Sequence, residues 1–316
     1  MTNATISERT IRRAPPPEAR LVRDESGSAS MITRVLASLL SVLLLAAPVW
    51  AVAPELPQVA AAARTPYLAV LVWHDVVAGP KEVWFDTTLD TFRAQLRAIQ
   101  RGGYHVIGLQ ALRSHLEHGT PVPSRPLALT FDDNGHGIYE NAFPLLKKYG
   151  FPATLFVHTN FVGKTTSKRH NTWAQLIEME RSGLIDIQSL TANHPPDLRP
   201  LSDANVAHEF TLARKSIEAR IGRVPYAVVY PEDNYDERLA RLAAATGYSL
   251  GFTEDWGNAG ASDSLLLVHR YSVLTRFDQA LADVAVDSPR LRSTNPSRSA
   301  SPSRPSSRAG QSPTHS

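Results

Sequence analysis

The run Leu127-Ala128-Leu129-Thr130-Phe131 ends abruptly in Asp132-Asp133, and the loop Asn134-Gly135-His136-Gly137 follows. An apolar run of this length reads as a strand buried on both faces, which belongs in a parallel sheet. On such folds the chemistry sits just beyond the carboxyl ends of the strands. Two adjacent ionised carboxylates repel each other, and a metal ion or a functional proton is the usual reason to keep them together. Neighbours along a strand point to opposite faces, so one Asp could face a metal and the other a reacting water. A solvated Asp-Asp turn is the plain alternative, because loops favour Asp.

The rest of the chain alternates in the same style. Strand-like runs cover 68–73, 127–131, 153–157, 186–189, 227–230, 249–252 and 268–273. Helical stripes lie between several of them: Leu89, Phe92, Leu96 and Ile99 before Gly102; Trp173, Leu176 and Ile177 before Gly183; Val206, Phe210, Ala213 and Ile217 before Gly222; Leu239, Leu242 and Ala243 before Gly247. Apolar residues at helical spacing closed by glycine mark amphipathic helices and their ends. Alternating β and α implies a parallel sheet with crossover helices, and about seven strands over roughly 220 residues suit a closed or nearly closed barrel.

The ends differ from the middle. Residues 31–53 read as a secretory signal, with Arg34 before a short apolar stretch and Ala51-Val52-Ala53 as a cleavage site. The apolar stretch is short for a membrane span, so a secreted or periplasmic protein is expected, anchored only if the signal is uncleaved. Residues 1–30 read as an over-extended start ahead of Met31, with a cytoplasmic tail before an uncleaved anchor as the alternative. Residues 54–66 are expected as a linker and 67–287 as a single catalytic-type domain. Residues 288–316 are rich in Ser, Pro and Arg, hold no acid, and are expected to be disordered.

The formal net charge is +3. The first 53 residues carry six Arg against four acids and the last 29 carry five Arg, which leaves −4 for residues 54–287. The basic character therefore belongs to the ends and gives no reason to expect nucleic acid as a partner. The chain has no cysteine, which excludes a disulfide framework, a thiolate metal site and a thiol nucleophile.

Taken in order, Val70-Leu71-Val72-Trp73-His74-Asp75, Thr130-Phe131-Asp132-Asp133, Phe151-Pro152-Ala153-Thr154-Leu155-Phe156-Val157, Ile185 through His194, and Ala227-Val228-Val229-Tyr230-Pro231 resemble the polysaccharide deacetylases. These are carbohydrate esterases of family 4, with a NodB-homology domain. The resemblance covers roughly 67–275 and leans to the branch that acts on poly-N-acetylglucosamine. It implies a distorted (β/α)7 barrel and hydrolysis of N-acetyl groups on an N-acetylglucosamine polymer. It also implies a divalent metal, with zinc the expected ion. Carried over residue by residue, Asp132 is the catalytic base, and Asp133 and His194 are metal ligands. His269 could be the general acid or a plain exposed strand-end histidine, and Arg270 orients the catalytic Asp or meets substrate. Tyr230 and Pro231 line the substrate site, and His74 either faces it or is a hydrogen-bonded structural histidine. Apart from the resemblance, Trp256 on a loop could stack on a sugar ring or cap the core.

The sequence also departs from the family pattern. Leu190 stands where the first metal-binding His belongs, and Asn134 where a Gly follows the Asp pair. Tyr230-Pro231-Glu232-Asp233 replaces a Tyr-Pro-Tyr-Gly turn, and a further Pro follows His194 at Pro195-Pro196. A catalytic site built on one metal ion typically has three protein ligands, so Asp133 and His194 alone are weak. His136 could fill the gap, or it could be a plain loop histidine. Two other readings stand beside the deacetylase. One is a pseudoenzyme that binds envelope or extracellular glycan. The other is a glycosidase, disfavoured because its two carboxylates must flank a bond several Å apart.

Overall fold

A computed structural model describes residues 55–64 and 67–286. The signal, the leader and the tail expected at 288–316 lie outside the described residues. No helix among the described residues is long and apolar enough to cross a membrane.

The elements run β1 (Ala69–Trp73), β2 (Val76–Val77), β3 (Thr87–Thr88), α1 (Leu89–Arg101), β4 (His105–Ile107), α2 (Leu109–His118) and β5 (Pro126–Phe131). A π-helical turn at Ile138–Ala142 leads into α3 (Phe143–Tyr149). Then come β6 (Ala153–Val157), α4 (Trp173–Arg181), β7 (Ile185–Ser189), α5 (Asp203–Ile221), β8 (Ala227–Val229), α6 (Glu237–Ala245), β9 (Leu250–Phe252), β10 (Tyr271–Ser272) and α7 (Phe277–Val286). The main sheet is parallel, in the order β10-β1-β5-β6-β7-β8-β9, with β4 added beside the start of β5. Val268 bridges to Phe252 of β9, and three residues later β10 pairs with β1. That single segment joins the two edges, so seven strand positions curl into an α/β barrel flanked by helices.

Two-residue alternation divides the core. Ala69, Leu71 and Trp73 of β1, with Leu127, Leu129 and Phe131 of β5, share a buried cluster with Phe92, Leu96 and Ile99 of α1. Val70, Ala128 and Phe156 face the other way, in a cluster with Tyr230, Phe252 and Val268. Asp132 follows Ala128 and Thr130 in parity, so it is carried to the inner side. The next residue leaves the strand, with Asp133 in the left-handed region at φ 68°.

The segment expected as a linker is part of the domain. Val59 and Ala63 are buried. The Ala60 N–H donates to the Leu116 carbonyl at 2.8 Å, and the Leu265 N–H donates to the Pro57 carbonyl at 2.8 Å. Glycine makes the fit possible. A Cβ on Gly260 would lie 2.0 Å from the Ala63 carbonyl oxygen, and one on Gly119 2.5 Å from the Ala62 Cβ. A second difference from the sequence reading is the pair β4 and α2, together with α7; none of these was marked by a strong periodic stripe.

Candidate active site

The carboxyl ends of β1, β5, β7, β8 and β9 open onto a cavity of about 440 Å³. Its wall includes His74, Asp132, Asp133, Leu190, His194, Tyr230, Glu232, Asp233, Glu254 and Arg270. Six of the seven non-glycine residues with positive φ among the described residues belong to this region: Asp133, Asn134, Thr191, His194, Glu232 and Asp233. Side-chain-bearing residues held there store strain of order 1 kcal/mol each, and such strain concentrates at functional sites.

Asp132 and Arg270 form the base of the cavity. Arg270 is fully buried and donates through Nη1 to Asp132 Oδ1 at 2.9 Å and through Nη2 to Oδ2 at 2.8 Å. Its Nε donates to the Thr253 carbonyl at 3.0 Å. Burial works against the guanidinium charge, but the Asp132 carboxylate outweighs it and raises the Arg270 pKa above its ordinary value. The parallel fork fixes the plane of the carboxylate. Arg270 is thus spent inside the protein; it positions Asp132 and does not serve as a substrate contact.

Asp133 and His194 stand beside this pair. Oδ1 of Asp133 lies 3.8 Å from Nε2 of His194. Burial raises the Asp133 carboxyl, with His74 and His194 pulling it down and Asp132 and Glu232 pushing it up. The loop that presents His194 is firmly tied. Glu209 on α5 accepts from the backbone N–H of Ala192 at 3.1 Å and of Asn193 at 2.8 Å, and the His194 N–H donates to Thr191 Oγ1 at 3.1 Å. Behind it His158, at the end of β6, packs its ring 5.5 Å from that of His194 and 4.8 Å from that of His170. Burial, with the two other imidazoles adding, lowers the His158 pKa to about 3, so it is neutral.

Two ligands held tetrahedrally by one ion at about 2.0–2.2 Å lie roughly 3.3–3.6 Å apart, so Asp133 and His194, at 3.8 Å, need only a small side-chain shift to share a divalent cation. The third position is not a donor, because Leu190 sits in the wall with 2% of its surface exposed. Across the same cavity His74, Asp132 and Glu254 bring donor atoms within 4.8 Å of one another, with His74 Nε2 3.8 Å from Glu254 Oε1. This mixed imidazole and carboxylate set fits a divalent cation of the zinc type better than a hard ion that demands oxygen alone.

Other expected residues fall elsewhere. His136 faces a different cavity with Asp75, Lys168 and Glu140, and its Nε2 pairs with Glu140 Oε1 at 2.6 Å. Gly137 brings its loop so close that a Cβ would sit 2.1 Å from the Val76 carbonyl oxygen, which turns His136 away from Asp133. His269 is also absent from the wall. Its neighbour Arg270 points inward, so His269 points outward, where its ring packs on Gly257 and its N–H donates to Ser262 Oγ at 3.0 Å. Trp256 packs against Tyr271 and the Arg276 guanidinium, outside the cavity. Pro231 is buried behind the wall, while Tyr230 lines it and donates its hydroxyl to the Leu266 carbonyl at 2.9 Å.

Two of the departures have local explanations. Asn134 occupies the left-handed region at φ 59°, which Asn tolerates better than most residues, and exchanges amide hydrogen bonds with Asn171. Asp233, also left-handed, accepts the Glu254 N–H at 2.8 Å. Burial raises its carboxyl to about 6, with Asp255 and Glu254 adding and the Glu254 N–H and Arg270 opposing. The position of Glu254 was not legible as a site residue, although it lies just past the end of β9, where strand-end carboxylates merit suspicion.

The profile of the family described as Polysaccharide deacetylase matches residues 119–251. The poly-β-1,6-N-acetyl-D-glucosamine N-deacetylase of Staphylococcus epidermidis is 35% identical over 175 residues, 54% of this chain and 58% of that protein. The Streptococcus pyogenes deacetylase PplD, solved in complex with acetate, superposes with a TM-score of 0.63 at 26% identity over 69% of this chain and 97% of its own. Residues 119–251 are thus a polysaccharide deacetylase domain. IcaB from Ammonifex degensii shares the fold, with a TM-score of 0.63 at 24% identity over 69% of this chain and 97% of its own. The family, the parallel α/β barrel and the proximity to the poly-N-acetylglucosamine branch therefore agree with the resemblance read from the sequence. The chain spans under two thirds of the Staphylococcus epidermidis enzyme.

Proposed function

We propose that this protein is an exported, metal-dependent deacetylase of N-acetylglucosamine polymers, weakened by the loss of one metal ligand. The observation that carries the reading is the buried fork between Arg270 and Asp132 beside the Asp133–His194 pair. Family membership supports the reaction class, and the relative from Staphylococcus epidermidis supports the polymer. Export rests on the signal-like segment 31–53.

A bound divalent cation, zinc by preference, would polarise the amide carbonyl and acidify water. Asp133 and His194 would hold it, with His74 and Glu254 facing the same space. Asp132 accepts the proton of the attacking water on a lone pair that the Arg270 fork leaves free. Arg270 keeps the Asp132 carboxylate in one orientation throughout. His74 lines the same wall with its Nε2 3.8 Å from Glu254 Oε1, and it hands a proton to the leaving amine in the role expected of His269.

The test is acetate release from an N-acetylglucosamine oligomer with zinc supplied. Slow release that Asp132→Asn abolishes supports the reading. Release unaffected by Asp132→Asn and Asp133→Asn contradicts it. Leu190 favours a second reading, a pseudoenzyme that binds the glycan and releases nothing. Oligomer binding with no acetate at any zinc concentration would select it.

A further inference from the structure

Trp84 is 79% exposed, the most exposed large apolar side chain among the described residues. The cavity that holds Asp132 and Asp133 is also lined by Trp84 and Phe85. The Phe85 ring lies 5.4 Å from that of Trp84, edge-on at 87°, and 5.2 Å from that of His74. A continuous aromatic edge thus runs from the reacting centre to open solvent.

The segment beneath Trp84 is fixed. Asp86 is fully buried and accepts from the backbone N–H of Glu82 at 2.8 Å and of Val83 at 3.1 Å. It also pairs with Lys168, which bridges to Asp75 at 2.8 Å. The Thr87 N–H donates to the Asp75 carbonyl at 2.9 Å. An indole carried on a tethered turn is held in water by design of the turn, not by looseness of the chain. Keeping so large an apolar surface exposed forgoes its burial energy, and a rigid ring presented in this way loses little freedom when it meets a partner.

We infer that Trp84 is a stacking platform for a pyranose ring of the polymer, next to the sugar whose acetyl group enters the cavity. The C–H face of a pyranose is apolar and weakly positive, and it complements the negative face of an indole. This rests on the deacetylase reading of the cavity and adds a second sugar position to it. The contact is remote from the reacting atoms, so it serves binding of the chain and not the chemical step.

The experiment measures calorimetric binding of a β-1,6-linked N-acetylglucosamine pentamer and of the monosaccharide to the parent, Trp84→Ala, Trp84→Phe and Trp256→Ala. Trp84→Ala is expected to weaken the pentamer about tenfold, equivalent to ~1.4 kcal/mol, with the loss confined to the pentamer. Trp84→Phe should recover most of it, and Trp256→Ala should match the parent. Thermal unfolding of each variant checks that the fold is intact. Parental affinity in Trp84→Ala, or equal losses in Trp84→Ala and Trp256→Ala, overturns the platform and leaves the deacetylase reading standing. A parent that binds no pentamer overturns both.

Discussion

The base of the cavity and its Leu190 wall answer to different pressures. Asp132 and Arg270 form a buried, doubly hydrogen-bonded ion pair, whereas Leu190 has joined the apolar cluster that contains Phe156, Val228 and Tyr230. Removing one partner of a buried pair leaves an uncompensated charge and costs about 3–5 kcal/mol. Folding alone therefore holds Asp132 and Arg270 in place. A metal-binding imidazole in an apolar wall has no such protection, because a leucine there packs well and leaves no polar group unsatisfied. The half of the site that the fold needs is complete, and the half that only chemistry needs is short of a ligand.

The largest effect should come from Arg270→Met. It strands Asp132 and should cost about 3–5 kcal/mol in denaturant unfolding, along with all turnover. A variant as stable as the parent would break the comparison at its strong side. Asp132→Asn comes next and should lower acetate release about 100-fold or more, the usual loss with a general base, while zinc affinity stays near the parental value. Parental release would remove Asp132 from the mechanism.

A smaller effect concerns pH. The Asp233 carboxyl sits at about 6 in the folded chain, above its unfolded value near 3.9. Between those values the folded state binds more protons than the unfolded state, so the contribution of Asp233 to stability falls as pH rises from about 4 to 6. Asp233→Asn keeps an acceptor for the Glu254 N–H and removes the titration. Unfolding curves at both ends of that window should show the variant gaining on the parent at the higher pH; parallel curves would refute the assignment. The smallest effect is expected from His136→Ala, which should leave zinc affinity within about twofold of the parent because it shares no partner with Asp133.

Much of the barrel was legible in the sequence, because buried parallel strands such as 127–131 and 153–157 are continuous apolar runs that few other structures use. The stripes of α1 and α5 were legible for the same local reason. Asp132, Asp133 and His194 were named from their motifs, and the fold brings the three to one cavity. The late strand shows the limit. His269 and Arg270 are adjacent, and only the register of Val268 against β9 decides which of them faces inward. His136 lay three residues from Asp133 in sequence, but close packing of Gly137 on Val76 turned it to another cavity. Glu254, Asp233 and Trp84 come from separate strand ends and a distant turn. Their convergence is a property of barrel closure, which no local pattern records.

The most direct test of the account is a zinc titration of the parent and of Leu190→His, followed by calorimetry and by the visible spectrum of the cobalt form. Each donor contributes several kcal/mol to a site worth about 10–16 kcal/mol in structural zinc proteins. The parent should bind weakly, and Leu190→His should bind one equivalent about 100-fold more tightly or better, with a tetrahedral cobalt spectrum that Asp133→Asn removes. Tight, stoichiometric binding by the parent that neither Asp133→Asn nor Leu190→His alters would contradict the account.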